Sequence, residues 1–140
     1  MRNITILIIL LSLGSCKLKN PSAEQVDNDL HIQVMKQVSH PDSISEYRVR
    51  IFTKKEQEKS LALALNKQMQ FYADSLFYLT HHGSETYPDM VIPVSTSVAN
   101  CYEYVLLFSP HEAIGESEPL LIYHDKYING KTYTLRIKQI

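Results

Sequence analysis

Residues 120–137 read Leu-Leu-Ile-Tyr-His-Asp-Lys-Tyr-Ile-Asn-Gly-Lys-Thr-Tyr-Thr-Leu-Arg-Ile, two alternating runs around Asn129-Gly130. Asn-Gly is the favoured two-residue hairpin turn, because both residues tolerate the positive φ that such a turn needs. Pairing Ile128 with Lys131 puts Leu120, Ile122 and His124 on one face with Tyr133, Leu135 and Ile137. The opposite face then sets Tyr123 against Arg136 and Asp125 against Thr134. One apolar and one wet face are what an antiparallel sheet with a single buried side requires.

The same period of two recurs upstream. Leu30, Ile32 and Val34 alternate with His31 and Gln33, which predicts a strand over 29–38. Its rival is a helix opened by a capping box at Ser22…Gln25, with Val26, Leu30, Val34 and Val38 at steps of four. His40-Pro41-Asp42-Ser43 is turn chemistry, since Pro presets φ and Asp and Ser bond back to the local backbone. Beyond it, Tyr47, Val49 and Ile51 alternate with Arg48 and Arg50, giving a half-buried strand over 45–53. Thr53-Lys54-Lys55-Glu56 reads as a capping box, and Leu61, Leu65, Met69, Tyr72 and Leu76 as the buried stripe of the helix it opens. Leu76 to Thr80 predicts a strand closed by a loop over His81 to Glu85. Pro88 and Pro93 bracket Met90-Val91-Ile92, a strand for a sheet edge, where missing donors matter least. Cys101 to Phe108 becomes apolar on both faces, as a central strand does, and Ser109 to Pro119 is a loop. About seven strands and one inserted helix predict a mainly β fold, an antiparallel sandwich of the immunoglobulin kind, with α+β as the alternative.

The whole chain has 140 residues, 44% of them apolar, and a formal net charge of −1. That length suits one domain. Balanced charge argues against a nucleic-acid partner, whose phosphates demand a surplus of Lys and Arg.

The first sixteen residues carry a separate message. Met1-Arg2-Asn3 precedes the apolar run Ile4 to Leu11, far short of the roughly 20 residues that span a bilayer. Leu13-Gly14-Ser15-Cys16 then resembles the lipobox of bacterial lipoproteins. The resemblance implies that residues 1–15 are a signal peptide and that Cys16 is alkylated by a diacylglycerol. With two or three acyl chains the anchoring is stable, whereas one chain binds only marginally. Residues 16–28 hold no aromatic and read as a lipidated tether, with residues 29–140 as a single globular domain. Losing Arg2 with the signal takes the formal charge from −1 to −2, and leaves Cys101 alone beside the lipidated Cys16. No internal disulfide is then available.

Reacting groups are sparse. His111-Glu112-Ala113-Ile114-Gly115 begins like a zinc-protease helix but has Gly115 where the second imidazole must stand. His81, His82, His111 and His124 would need to converge to hold a metal, and loop histidines are more often solvated. Cys101 in a strand beside Tyr102 reads as a small buried residue rather than a nucleophile, which needs an electropositive setting. Arg48 and Arg50 suit either an acidic partner or a solvated strand face. No Gly-rich phosphate cradle or serine elbow is present, so the sequence predicts a non-enzymatic chain with no cofactor.

Read in order, the lipobox, a strand with Tyr47-Arg-Val-Arg-Ile-Phe52, a helix ending Phe71-Tyr-Ala-Asp-Ser-Leu-Phe77, Val91-Ile-Pro-Val94 and Tyr102-Glu-Tyr-Val-Leu-Leu-Phe108 are similar to small outer-membrane lipoproteins of type VI secretion. These are the TssJ group and the TssQ lipoproteins of Bacteroidota. The resemblance implies a transthyretin-like sandwich with an inserted helix that anchors a trans-envelope complex by binding an inner-membrane partner. Two departures stand out: Pro93-Val94 replaces the Pro-Gly that often ends the fifth segment, and the His40 to Ile44 loop is short. That loop helps contact the partner in the TssJ group, so the group's partner surface does not carry over.

Two functions from different classes follow. One is a lipoprotein that binds another envelope protein. The other is a free-standing periplasmic module for a small ligand, a glycan or an enzyme. Loops are the natural partner-binding elements, which nominates His40, Asp42, His81, His82, Glu85, His111, Glu112 and Glu116. Lys17 and Lys19 follow Cys16 without an acidic cluster of the surface-export kind, so the expected location is the outer membrane, facing the periplasm. Replacing Cys16 with Ser should abolish fatty-acid labelling and release the protein from membranes. Undiminished labelling would show that Cys16 is not the anchor point.

Overall fold

The computed structural model describes residues 21–37, 43–110 and 119–138. Nine strands and one helix follow in chain order: β1 (Ala23–Val26), β2 (Leu30–Lys36), β3 (Ser45–Thr53), α1 (Lys59–Phe71), β4 (Phe77–His81), β5 (Ser84–Thr86), β6 (Met90–Val94), β7 (Cys101–Phe108), β8 (Leu120–His124) and β9 (Thr132–Arg136). They form two antiparallel sheets, β1-β2-β3-β7-β6 and β5-β4-β8-β9, packed as a sandwich. The mainly β fold with one inserted helix is as the alternation predicts. Its strand number exceeds seven because β1 and β5 arise where a tether and a loop are expected.

Alternation becomes burial directly. Leu30, Ile32 and Val34 on β2, Tyr47, Val49 and Ile51 on β3, and Tyr104, Leu106 and Phe108 on β7 are all buried on the inner face of the first sheet. Phe77, Leu79, Leu121, Tyr123, Tyr133 and Leu135 answer from the second. Rings interlock across this core: Phe77 lies 5.2 Å from Tyr104 and 5.3 Å from Tyr123, and Tyr47 meets Phe108 edge-on at 5.6 Å. Each such aliphatic or aromatic side chain contributes about 1.5–3 kcal/mol through burial. β7 lies inside its sheet and β6 at the edge, both as predicted.

Four expectations are corrected. Residues 23–26 are not tether but strand, with Ala23 opposite Val34 and buried. Only four residues long, with Glu24 and Gln25 at its centre, β1 is held by pairing with β2 rather than by an alternating pattern of its own. The globular part therefore begins by Ser22, whose Oγ accepts the Lys36 N–H at 3.0 Å and whose carbonyl accepts the Lys138 N–H at 2.9 Å. Ser22 thus stitches the first sheet to the end of β9.

The capping box fails because Thr53 is still in β3, opposite Leu30. The helix starts at Lys59, where Glu58 caps it without a side-chain hydrogen bond. Of the expected stripe, α1 buries only Leu65 and Met69, while Leu76 is buried beyond the helix and Leu61 and Tyr72 stand exposed.

The loop expected over His81 to Glu85 is a tight hairpin. His82 and Gly83 take φ of +48° and +81°, the two-residue primed turn that matches strand twist.

Finally, the β8–β9 hairpin does not turn tightly at Asn129-Gly130. Leu121 faces Leu135 and Tyr123 faces Tyr133, so β8 buries Leu121 and Tyr123 rather than turning His124 inward. Ile122 is covered too, but on the outer face. Asp125 is the cause. Its carboxylate is buried and accepts hydrogen bonds from the N–H groups of Tyr127, Ile128, Asn129 and Gly130, and from the Tyr123 hydroxyl at 2.9 Å. A carboxylate that satisfies four loop donors stabilises a longer connection and overrides the dipeptide cue. Asp125→Ala leaves those donors unpaired and should destabilise the domain by about 3 kcal/mol. Equilibrium denaturation measures this, and Gly130→Val, forced to φ +72°, should lose stability as well.

Candidate functional site

The sandwich has two unlike ends. One, here the near end, carries Ser22, the end of β2, the start of β3, the β4–β5 turn and the residues after β9. Lys36 pairs with Tyr47 and Ser45 with Phe108, while Thr80 pairs with Leu120 and Leu120 with Arg136. Ser22 joins the two sets through Lys36 and Lys138. The other, the far end, carries the β1–β2 turn, the connections into and out of α1, residues 95–100 and the Asp125 loop.

A charged network closes the far end. Asp27 Oδ1 accepts the N–H groups of Asp29 and Leu30, at 2.8 and 2.9 Å, and Asp27 Oδ2 accepts the Tyr133 hydroxyl at 2.9 Å. Lys131 Nζ bridges Asp27 and Asp29 at 3.1 and 3.0 Å, and Lys55 also pairs with Asp29. These contacts join the β1–β2 turn to the loop between β8 and β9, so they clamp one sheet to the other. The backbone donor of Leu30 dominates in holding the Asp27 carboxyl well below the usual carboxylate range. The Lys55 ammonium does most to lower that of Asp29, to about 2.

The helix belongs to this end. Lys54 N–H donates to the Asp29 carbonyl just before α1, and the Tyr127 hydroxyl donates to the Tyr72 carbonyl just after it. Tyr102 and Tyr104 hold its middle, donating to Asn66 Oδ1 at 2.6 Å and to the Met69 carbonyl at 2.7 Å. With Leu65 and Met69 turned inward, Ala64, Gln68 and Phe71 run along one exposed flank at steps of four and three, Leu63 projects from another side of the helix, and Leu61 extends past the core one turn before Leu65. Leu63 is 72% exposed, Phe71 64%, and Tyr72, Leu61 and Val98 more than half. Grooves of about 400 and 460 Å3 flank the Tyr102–Asn66 contact, one towards β6, the other towards Val98 and Thr53. This exposure of apolar side chains around the helix is the feature that the sequence reading misses. Leu61 and Tyr72 fit the 3.6-residue pattern of a core stripe, and only the packing shows them to be outside.

Of the nominated loop residues, the structure describes His81, His82 and Glu85; Cys16, His40, Asp42, His111, Glu112 and Glu116 lie outside the described residues. His81 and His82 sit together at the near-end turn, ring centroids 4.1 Å apart, and Glu85 opposes Thr80 on β5. His124 is four residues along β8 from Leu120, about 13 Å away from that turn, and contacts Thr132 Oγ1 at 2.8 Å. Its ring therefore does not join theirs. Among the described residues, no three or more His, Cys, Asp or Glu side chains gather in a metal-binding group.

Arg48 and Arg50, read from sequence as suiting an acidic partner or a solvated strand face, are half-buried and paired within the sheet. Both hold Glu103, buried on the outer side of the first sheet, with N···O distances of 3.3 and 2.9 Å. Cys101 is half-buried, and burial, with the Glu103 carboxylate next, pushes its thiol up. The thiolate that a nucleophile needs is thereby disfavoured.

The depressed carboxyl pKa values of Asp27 and Asp29 shape the acid behaviour of the domain. Their stabilisation is present above the unfolded value near 3.8 and is lost as pH falls through the folded values, about 2 for Asp29 and lower still for Asp27. Melting temperature should therefore drop steeply below about pH 4, and Asp29→Asn should flatten that part of the profile. An unchanged acid limb in the variant would remove the clamp from the account. No protein-family model, no curated protein and no solved structure matches this chain.

Proposed function

We propose that this chain is a membrane-anchored, non-enzymatic lipoprotein of the bacterial envelope that holds another envelope protein through the outer face of α1. The observation that carries this reading is the exposure of large apolar side chains around α1: Leu61, Leu63 and Phe71 on the helix, Tyr72 at its C-terminal cap and Val98 on the adjoining loop. Large apolar side chains held exposed on an ordered element mark interaction surfaces. The occupant is a partner segment with apolar anchors that covers these side chains. The lipobox places the anchor at Cys16, and the resemblance to type VI secretion lipoproteins names the partner class: a subunit of the trans-envelope complex that reaches across the periplasm from the inner membrane. The location is the outer membrane, facing the periplasm.

A photocrosslinking residue at Phe71, set against one at Thr134 on the second sheet, tests this in native membranes. The Phe71 position should capture one envelope protein, and the Thr134 position none. Leu61→Glu with Leu63→Glu should abolish that capture, while stability changes by no more than about 0.5 kcal/mol per site. Equal capture from both positions, or none from Phe71 together with tight binding of a small molecule or glycan by the domain, favours a free-standing binding module.

A further inference from the structure

The near end of the sandwich points in a direction that the tether dictates. Ser22 is fixed there by Lys36 and Lys138, so the chain leaves the domain at this end. From Cys16 to Pro21 is five residue steps, which reach at most about 18 Å when fully extended. β3, with nine residues, spans roughly 27 Å between the two ends. A lipid on Cys16 is therefore too close to Ser22 for the far end to be turned towards the bilayer.

Resting on the anchoring reading above, we propose that the near end is a lipid-headgroup contact surface and that the domain stands on it with α1 facing away. The side chains exposed there suit that surface. Arg136, Lys138 and His82 are exposed, and Arg136 makes no ion pair among the described residues. Ile44 and Met90, each 54% exposed, supply apolar contact at the same end. Arg and Lys carry short apolar stems with a charged head, and so meet headgroup phosphates while their stems lie over apolar neighbours. Glu46, Glu85 and Asp89 share this end and leave it without a large net charge. Attraction is thus short-range hydrogen bonding to phosphate, not long-range pull by an anionic bilayer. The His81-His82 turn, nominated from sequence for a protein partner, becomes the tip that meets the membrane.

The test uses protein made from the full chain and extracted from membranes. Its intact mass first reports whether Cys16 carries lipid. With Cys101→Ser as background, a fluorophore is placed at His82→Cys or at Val98→Cys. The protein is then reconstituted into phosphatidylethanolamine–phosphatidylglycerol vesicles that contain a headgroup-spin-labelled lipid. Quenching should be several-fold stronger at position 82 than at 98, and Arg136→Glu with Lys138→Glu should weaken it at 82. Lipid on Cys16 with equal quenching at both positions, or stronger quenching at 98, overturns the orientation and leaves the anchor standing. A mass without lipid overturns the anchoring reading and the orientation with it.

Discussion

The buried carboxylate of Asp125 governs more of this molecule than any other single group. By accepting four backbone N–H groups it fixes residues 126–130 as a rigid loop in place of a tight turn. That loop presents Tyr127 to the end of α1, and it leads into Lys131 and Tyr133, which reach Asp27 on the opposite sheet. Remove the carboxylate and both attachments lose their footing, because each depends on where the loop places its side chains. A charge-assisted acceptor with several donors is also stronger than neutral pairs, and inside the protein it is less weakened by water. One acid therefore sets the register of β8 against β9, locates the helix and closes the far end.

The sequence shows the sheets more clearly than the connections. Alternation at Leu30-Ile32-Val34 and Tyr47-Val49-Ile51 is a direct consequence of side chains pointing to opposite faces, so strand positions and inward faces follow from it. β1 carries no such signal, since Glu24 and Gln25 are as polar as a linker, and only its partner strand makes it regular. The Asn129-Gly130 cue is sound local chemistry, and Gly130 does adopt φ +72°. It misleads because the dipeptide cannot reveal that Asp125 competes for the same donors. Sequence periodicity also makes Leu61 and Leu65 look equivalent. Their difference, one exposed and one buried, is set by where α1 is tied.

Those ties make the exposed apolar face compatible with a stable fold. The helix is 13 residues long, which is marginal for a helix that must stand alone in water. Its order comes from Leu65 and Met69 in the core, from the tyrosines that grip Asn66 and Met69, and from the fastened flanks. The outward residues are consequently free of structural duty. Changing them costs the domain little, and leaving them apolar has a use only if something covers them.

The two ends then divide the work by geometry. At the far end, charged side chains are satisfied by one another: Asp27, Asp29, Lys55 and Lys131 form a closed set that leaves the beside-lying helix face as the unpaired surface. At the near end the chain itself departs, Ser22 joins both sheets, and Arg136, Lys138 and the His81-His82 turn project outward. If Cys16 carries the proposed anchor, the few residues between it and Ser22 keep that end within their contour length of the membrane. In the orientation proposed above, a partner on the side away from the membrane would meet α1 first. The same strand length that separates the core's two ends would thus keep the proposed partner-binding side chains and the proposed membrane-facing turn from competing for one surface.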